Sequence, residues 1–187
     1  MTIRAIIGLG NPGAEYASTR HNVGFWLIDR VVGSRAIKPD RRLHGELAQI
    51  SLGGHALWLL KPSTFMNASG RAVAALASYY KLPPESLLVV HDELDLPPGT
   101  VRLKQGGGHG GHNGLRDIIR HLGAEFWRMR VGIGHPGHRD EVIGYVLSRA
   151  SSEEQALIGQ ALERGVSVMP LLAAAREQQA MKELHSK

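Results

Sequence analysis

The feature that most constrains this chain is the alternation of short apolar, often β-branched runs with stretches of helical periodicity. Residues 3–9 form an apolar run ending in glycines, which predicts a buried strand. Residues 22–32 (NVGFWLIDRVV) place apolar side chains at helical spacing, with Asn22 at the cap position. Residues 46–52 and 55–60 flank Gly53-Gly54, a two-residue hairpin turn. An Ala-rich helix is expected over 67–80, stopped before Pro83-Pro84. Residues 87–90 predict a strand opening into the acidic loop His91-Asp92-Glu93-Leu94-Asp95. Pro97-Pro98-Gly99 turns the chain into a strand at about 100–104, and a flexible glycine loop over 106–111 leads to a helix over 113–122. Residues 127–133 predict the last strand, with 141–147 and 152–183 mostly helical. This order predicts an α/β fold, one domain over residues 1–187. A mixed central β-sheet is covered by helices on both faces, with a helical C-terminal segment from about residue 152.

Composition narrows the function classes. The 187 residues carry 22 Lys plus Arg against 17 Asp plus Glu, a net charge of +5, and hydrophobic residues make up 43%. That balance suits a soluble globular domain and excludes wholesale disorder. There is no cysteine, which excludes disulfides, thiolate zinc sites and a cysteine nucleophile, and which suits a reducing compartment. No apolar run approaches the roughly 18 residues that span a bilayer. The first residues are interrupted too soon by Gly8 to act as a secretory signal. A cytoplasmic protein without membrane contact is the expectation. Between residues 100 and 130 six basic residues (Arg102, Lys104, Arg116, Arg120, Arg128, Arg130) face two acidic ones (Asp117, Glu125). A local excess of this sign beside a glycine-rich loop suits a phosphate backbone, and it equally suits a solvated basic face.

Three motifs compete for the chemistry and fall short. Gly8-Leu9-Gly10-Asn11-Pro12-Gly13 spells G-x-G-x-x-G after a strand. A dinucleotide site needs a helix starting there, whereas Pro12 removes an N–H donor and the next residues lack an apolar face. His109 and His112, and likewise His135 and His138, stand three apart, and His91-Asp92-Glu93 adds carboxylates. Metal-assisted hydrolysis is therefore the main alternative, although His109 lies among glycines that would hold a ligand loosely. There is no G-x-S-x-G, and Ser18, Ser63 and Ser69 follow no strand-to-helix elbow. What remains is a set of polar residues at the ends of expected strands: Asn11, His21, Asn67, Asp92 and Asn113. Each has an ordinary structural role available: a turn at Asn11, helix caps at Asn67 and Asn113, a surface position for His21. Together they supply one base, one carboxylate and three amides, a kit for attacking a carbonyl with water.

At these residues the sequence resembles the bacterial-type peptidyl-tRNA hydrolase family. Tyr16-Ala-Ser-Thr19-Arg20-His21-Asn22-Val-Gly24, continuing to Asp29, matches one family signature, and Gly108-His-Gly-Gly-His112-Asn113-Gly114-Leu115-Arg116-Asp117-Ile118 matches another. Gly8–Gly13, Lys61–Gly70, His91–Asp95 and Arg130–Pro136 look like further blocks in the family order. The likeness runs from about residue 3 to 146, and the connection over 122–126 is shorter than in some members. The resemblance implies an esterase without cofactor or metal that separates peptide from the 3′ ribose of peptidyl-tRNA and so recycles the tRNA, acting as a monomer. By matched position it implies His21 as general base and Asp92 as the group holding it in its basic form. Asn11 would recognise the first peptide bond. Phe65, Met66, Asn67 and Asn113 would line the cleft for peptide and 3′ end, with Tyr16 near the tRNA end, and Lys104 and Arg130 would meet the tRNA 5′ phosphate. A binding module that holds RNA without chemistry is the second class to keep.

Overall fold

The computed structural model describes residues 2–186. The chain runs β1 (Ala5–Gly8), α1 (Val23–Val32), β2 (Lys38–Asp40), β3 (Gly45–Leu52), β4 (His55–Pro62), α2 (Ser69–Tyr79), β5 (Leu87–Glu93), β6 (Val101–Gln105), α3 (Asn113–Leu122), β7 (Trp127–Gly132), α4 (Val142–Val146), α5 (Ser152–Ser167), α6 (Met169–Ala173) and α7 (Glu177–His185). One seven-stranded sheet has the order β2-β3-β4-β1-β5-β7-β6. Its centre is parallel, with β1 between β4 and β5 and β7 beyond β5. Its flanks are antiparallel, β2 on β3 and β3 on β4 at one side, β6 on β7 at the other. The expected mixed sheet is present.

Side-chain alternation divides the core into two layers, because successive strand residues point to opposite faces. Ile6, Leu88, Val90 and Met129 join one cluster with residues of α1, α5, α6 and α7. Ala5, Ile7, Leu87 and Val89 join the other with α2 and α3. Helices therefore cover both faces, as expected. The hairpin register pairs Leu52 with His55 across Gly53-Gly54, both at positive φ (57° and 82°). Only glycine adopts that pair of conformations cheaply.

Three details go beyond or against the sequence reading. β2 is absent from the sequence reading because Lys38-Pro39-Asp40 is short, polar and contains proline; it forms only because β3 offers a free edge, where proline is tolerated. The C-terminal segment is mostly helical as expected, and the breaks the sequence reading did not place fall where α6 carries Pro170 in its first turn and Ala175 stands at positive φ (61°) before α7. Finally, Asn22 makes no capping bond to α1, and the glycine motif serves packing. A side chain on Gly8 or Gly24 would overlap backbone of the other or of Leu9. These two glycines let α1 lie directly against the end of β1.

Candidate active site

Strand order reverses at β1, whose neighbours are reached by connections on opposite sides. In open α/β sheets the crevice beyond the carboxyl ends of the strands at such a reversal is where ligands bind. A cleft of about 380 Å³ opens there. Asn11 reaches it from the end of β1, His21 from the turn before α1, Asp92 from β5 and Asn113 from the start of α3. Phe65, Met66 and Asn67 reach it from the segment after β4.

Its central device is a chain of hydrogen bonds whose direction is fixed at one end. His112 caps α3: its Nδ1 accepts the backbone N–H groups of Gly114 (3.1 Å) and Leu115 (3.3 Å). A backbone N–H only donates, so His112 carries its proton on Nε2. That Nε2 lies 2.8 Å from Asp92 Oδ1. The other carboxylate oxygen, Oδ2, lies 2.8 Å from His21 Nδ1. The buried Asp92 carboxylate thus accepts from both rings, and His21 is left with an unprotonated Nε2. Burial works against both charged forms. For His21 the Asp92 charge and hydrogen bond outweigh it and raise the pKa. For Asp92 the two imidazoles outweigh it and hold the carboxyl well below its usual range.

Asn11 is oriented just as firmly. Asn22, buried at 1% exposure, holds its backbone from both sides, accepting the Asn11 N–H (2.8 Å) and donating to its carbonyl (2.9 Å). The Asn11 side-chain oxygen accepts the Met66 N–H at 2.7 Å. Only its amide N–H₂ is left to face the cleft, so this position donates and does not accept.

The structure brings seven of the ten sequence-derived residues into one cleft and leaves three outside its lining. Tyr16 packs edge-on against Phe65 (centroids 6.3 Å apart), at the rim. Lys104 and Arg130 lie on β6 and β7, with Arg130 Nε 2.8 Å from Glu93 Oε1. Asn67 and Asn113 are not helix caps; α2 has Ala68 and α3 has His112 in that position. Three residues were missed in their actual setting. Beyond standing in the family blocks, His112 and His91 figured in the metal alternative and Asn22 as a cap, with no part assigned in the cleft. His91 donates from Nδ1 to the Asp92 carbonyl (2.8 Å), and its buried Nε2 has no partner among the described residues. Burial, then the neighbouring His112, push its pKa down to about 4.

The histidine spacings behind the metal alternative have a local origin. Nδ1 of His109, His135 and His138 each accepts the N–H two residues on, from Gly111, Gly137 and Asp140 (2.9–3.1 Å). Those three are turn-forming residues. The one cluster of ligand-type atoms among the described residues is His21, Asp92 and His112, within 4.8 Å of one another. Both imidazole nitrogens there point their protons at Asp92, so an ion would have to break the hydrogen-bond chain just described.

Comparison with known proteins agrees with this architecture. A family model described as peptidyl-tRNA hydrolase matches residues 5–187. A peptidyl-tRNA hydrolase of Alkalilimnicola ehrlichii is 55% identical over 99% of this chain and 96% of its own length. That of Nitrosospira multiformis is 54% identical over 98% of each. The crystal structure of peptidyl-tRNA hydrolase from Acinetobacter baumannii superposes with a TM-score of 0.95 at 47% identity, over 97% of this chain and 94% of that one. Relatives this similar along their whole length leave one conclusion: the chain belongs to the peptidyl-tRNA hydrolase family.

Proposed function

We propose that this family member hydrolyses the ester between peptide and tRNA with a water molecule activated by His21. The observation that carries the mechanism is the directed chain from the α3 N-terminus through His112 and Asp92 to His21, which leaves a basic Nε2 facing the cleft. In the reaction, the water oxygen attacks the ester carbonyl as His21 Nε2 takes the proton. The resulting imidazolium is stabilised by Asp92. The amides of Asn67 and Asn113 donate to the tetrahedral oxyanion without titrating. Collapse expels the ribose 3′ oxygen, which receives the proton from His21. An ester has a good leaving group compared with an amide, so the scheme uses no covalent intermediate, metal or cofactor.

Asn11 selects the substrate. Its free N–H₂ donates to the carbonyl of the first peptide bond, whereas the ammonium of a free aminoacyl-tRNA is itself only a donor and offers it no acceptor. The aromatic pair Tyr16 and Phe65 suits the terminal adenosine, and Lys104 and Arg130 suit the 5′ phosphate. No helix among the described residues is long and apolar enough to cross a membrane. Every group in this scheme comes from one chain, and we read the enzyme as a monomer that works in the cytoplasm, where peptidyl-tRNA arises. The test is release of N-acetylated amino acid from tRNA, with and without EDTA, by the wild type and His21→Ala. The wild type should cleave in EDTA, and His21→Ala should lose roughly 10²–10⁴-fold. Near-wild-type turnover by folded His21→Ala would overturn the mechanism. Loss in EDTA would restore the metal alternative, and binding without cleavage would make the protein an RNA-binding module.

A further inference from the structure

Asp117 is a buried carboxylate that takes no part in the chemistry described above. It lies on α3 one turn after Asn113, on the face turned to α2. Its Oδ2 accepts the backbone N–H of Gly70, the second residue of α2, at 2.8 Å. Its Oδ1 accepts from the exposed Arg120 guanidinium at 3.1 Å. The first N–H groups of a helix have no acceptor within it. Ala68, which precedes α2, makes no side-chain capping bond, so the acceptor for Gly70 comes from another helix. A carboxylate suits that place, because the N-terminal end of a helix is its positive end.

Gly70 makes this bond possible. A Cβ there would come within 2.4 Å of both the Asp117 carbonyl oxygen and His121 Nδ1, so only glycine lets the two helices meet at this point. Earlier on α3, a Cβ on Gly114 would come within 2.6 Å of Met66 Sδ. The chain around Asn67 thus touches α3 at Met66 and is hydrogen-bonded to it at Gly70. Met66 is itself held, its N–H by Asn11 Oδ1 (2.7 Å) and its carbonyl by the Ser69 hydroxyl (2.7 Å).

We propose that Asp117 is a positioning residue for the ester hydrolysis: by capping α2 from α3 it sets the spacing between Asn67 and Asn113. Those amides stand at the starts of two different helices, and both must lie within hydrogen-bond reach of one oxyanion. An acceptor drawn from the α2 segment itself would satisfy Gly70 equally well without fixing the helices to each other. An acceptor drawn from α3 ties both amides to one carboxylate. Misplacement of a reacting or donating group by about 1 Å costs on the order of 100-fold in rate, so such a tie has a kinetic consequence. The inference rests on Asn67 and Asn113 acting as oxyanion donors, as proposed above.

The experiment measures kcat and KM on N-acetylated aminoacyl-tRNA for Asp117→Asn and Asp117→Glu, each with its melting curve. Asparagine keeps an acceptor oxygen at the same reach, whereas glutamate keeps the charge and moves it by one methylene. Asp117→Asn should stay within about threefold of the wild-type kcat, and Asp117→Glu should lose at least about tenfold, both with KM little changed. The opposite order, or wild-type kcat in folded Asp117→Glu, would overturn the proposal, since the spacing would then not matter. A cycle with Asn113→Ala separates positioning from general loosening of the fold. Acting through the amides, Asp117→Glu should cost far less kcat in the Asn113→Ala background than in the wild type. Equal losses in both backgrounds would overturn the proposal, because independent effects add. Asn113→Ala alone reports on the oxyanion reading: wild-type kcat in that single variant would remove the reading, and the proposal with it.

Discussion

Asp92 sits between two imidazoles, and the geometry makes a sharper forecast for it than the sequence does. From position alone, an orienting carboxylate should matter less than the base itself. In the structure His112 Nε2–H must be received by an oxygen, so in Asp92→Asn the amide oxygen would turn to His112 and the amide nitrogen to His21. That nitrogen donates, which forces His21 to accept at Nδ1 and to carry its proton on Nε2, the wrong tautomer for a base. Asp92→Asn should therefore approach the loss of His21→Ala, roughly 10²–10⁴-fold; a loss under about tenfold would show that His112 does not orient this position. The wild-type pH profile follows from the raised pKa of His21. In the proposed mechanism the unprotonated ring is the active form, so kcat/KM should fall on acidification, with a midpoint above the ordinary imidazole value of about 6.5. A midpoint below that value would contradict the Asp92 contact. Asn11→Asp replaces a donor with a carboxylate that still accepts the Met66 N–H and attracts an ammonium. The rate ratio of blocked to unblocked aminoacyl-tRNA should fall at least several-fold, and an unchanged ratio would reduce Asn11 to a turn residue. His21, Asp92 and Asn11 were legible because loop polar residues at strand ends converge in this class of sheet. Asn22 was not, since an asparagine before a helix has a commoner role as its cap.

At the scale of elements, α3 does more than carry Asn113. Its N-terminus supplies the donors that set the His112 tautomer, so helix capping and the active-site network share one side chain. Histidine is not a favoured cap, which is why the sequence pointed to Asn113 instead. Substitution separates the two roles. Asparagine at 112 can cap with its short amide but cannot reach Asp92, whereas alanine can do neither. His112→Ala should cost about 1 kcal/mol of stability through the lost cap, some 2–4 °C in Tm for a chain of this size. His112→Asn should keep most of that stability yet lower kcat and move the acid limb of the pH profile. Equal Tm losses without a kinetic difference would make His112 structural only. Elements with a strong local signal, such as the β3–β4 hairpin at Gly53-Gly54, were legible. β2 was not, because its strand state comes from the free edge of β3 and not from its own residues.

For the whole molecule, the uneven charge of the sequence becomes a surface with direction. The β6–β7 register sets Arg102 opposite Arg130 and Lys104 opposite Arg128, and directly paired residues share a face of the sheet. The alternate residues, Leu103 and Met129 among them, fill the core on the other side, so all four cations point the same way. They are not equivalent. Arg128 is buried and holds the glycine loop, donating to the carbonyls of Gly107, Ala124 and Phe126 (2.7–3.1 Å). Burial brings its pKa down to about 10, against the pull of Glu125. Arg130 is paired with Glu93, beside Asp92. Lys104 is exposed and makes no ion pair among the described residues, which leaves it the freer of the two proposed phosphate ligands. Lys104→Ala should thus raise KM for full-length substrate with kcat little changed, because it removes binding energy far from the ester. It should also flatten the log–log salt dependence of binding by about 0.7–0.9 for one lost phosphate contact. Arg130→Ala should do the same and in addition lower kcat, since it leaves Glu93 unpaired next to the carboxylate that positions His21. An N-acyl aminoacyl adenosine without a tRNA body separates these effects. On that mimic Lys104→Ala should match the wild type, while Arg130→Ala should keep its kcat deficit. If Lys104→Ala loses as much on the mimic as on tRNA, the basic face serves the fold and does not grip the tRNA 5′ phosphate.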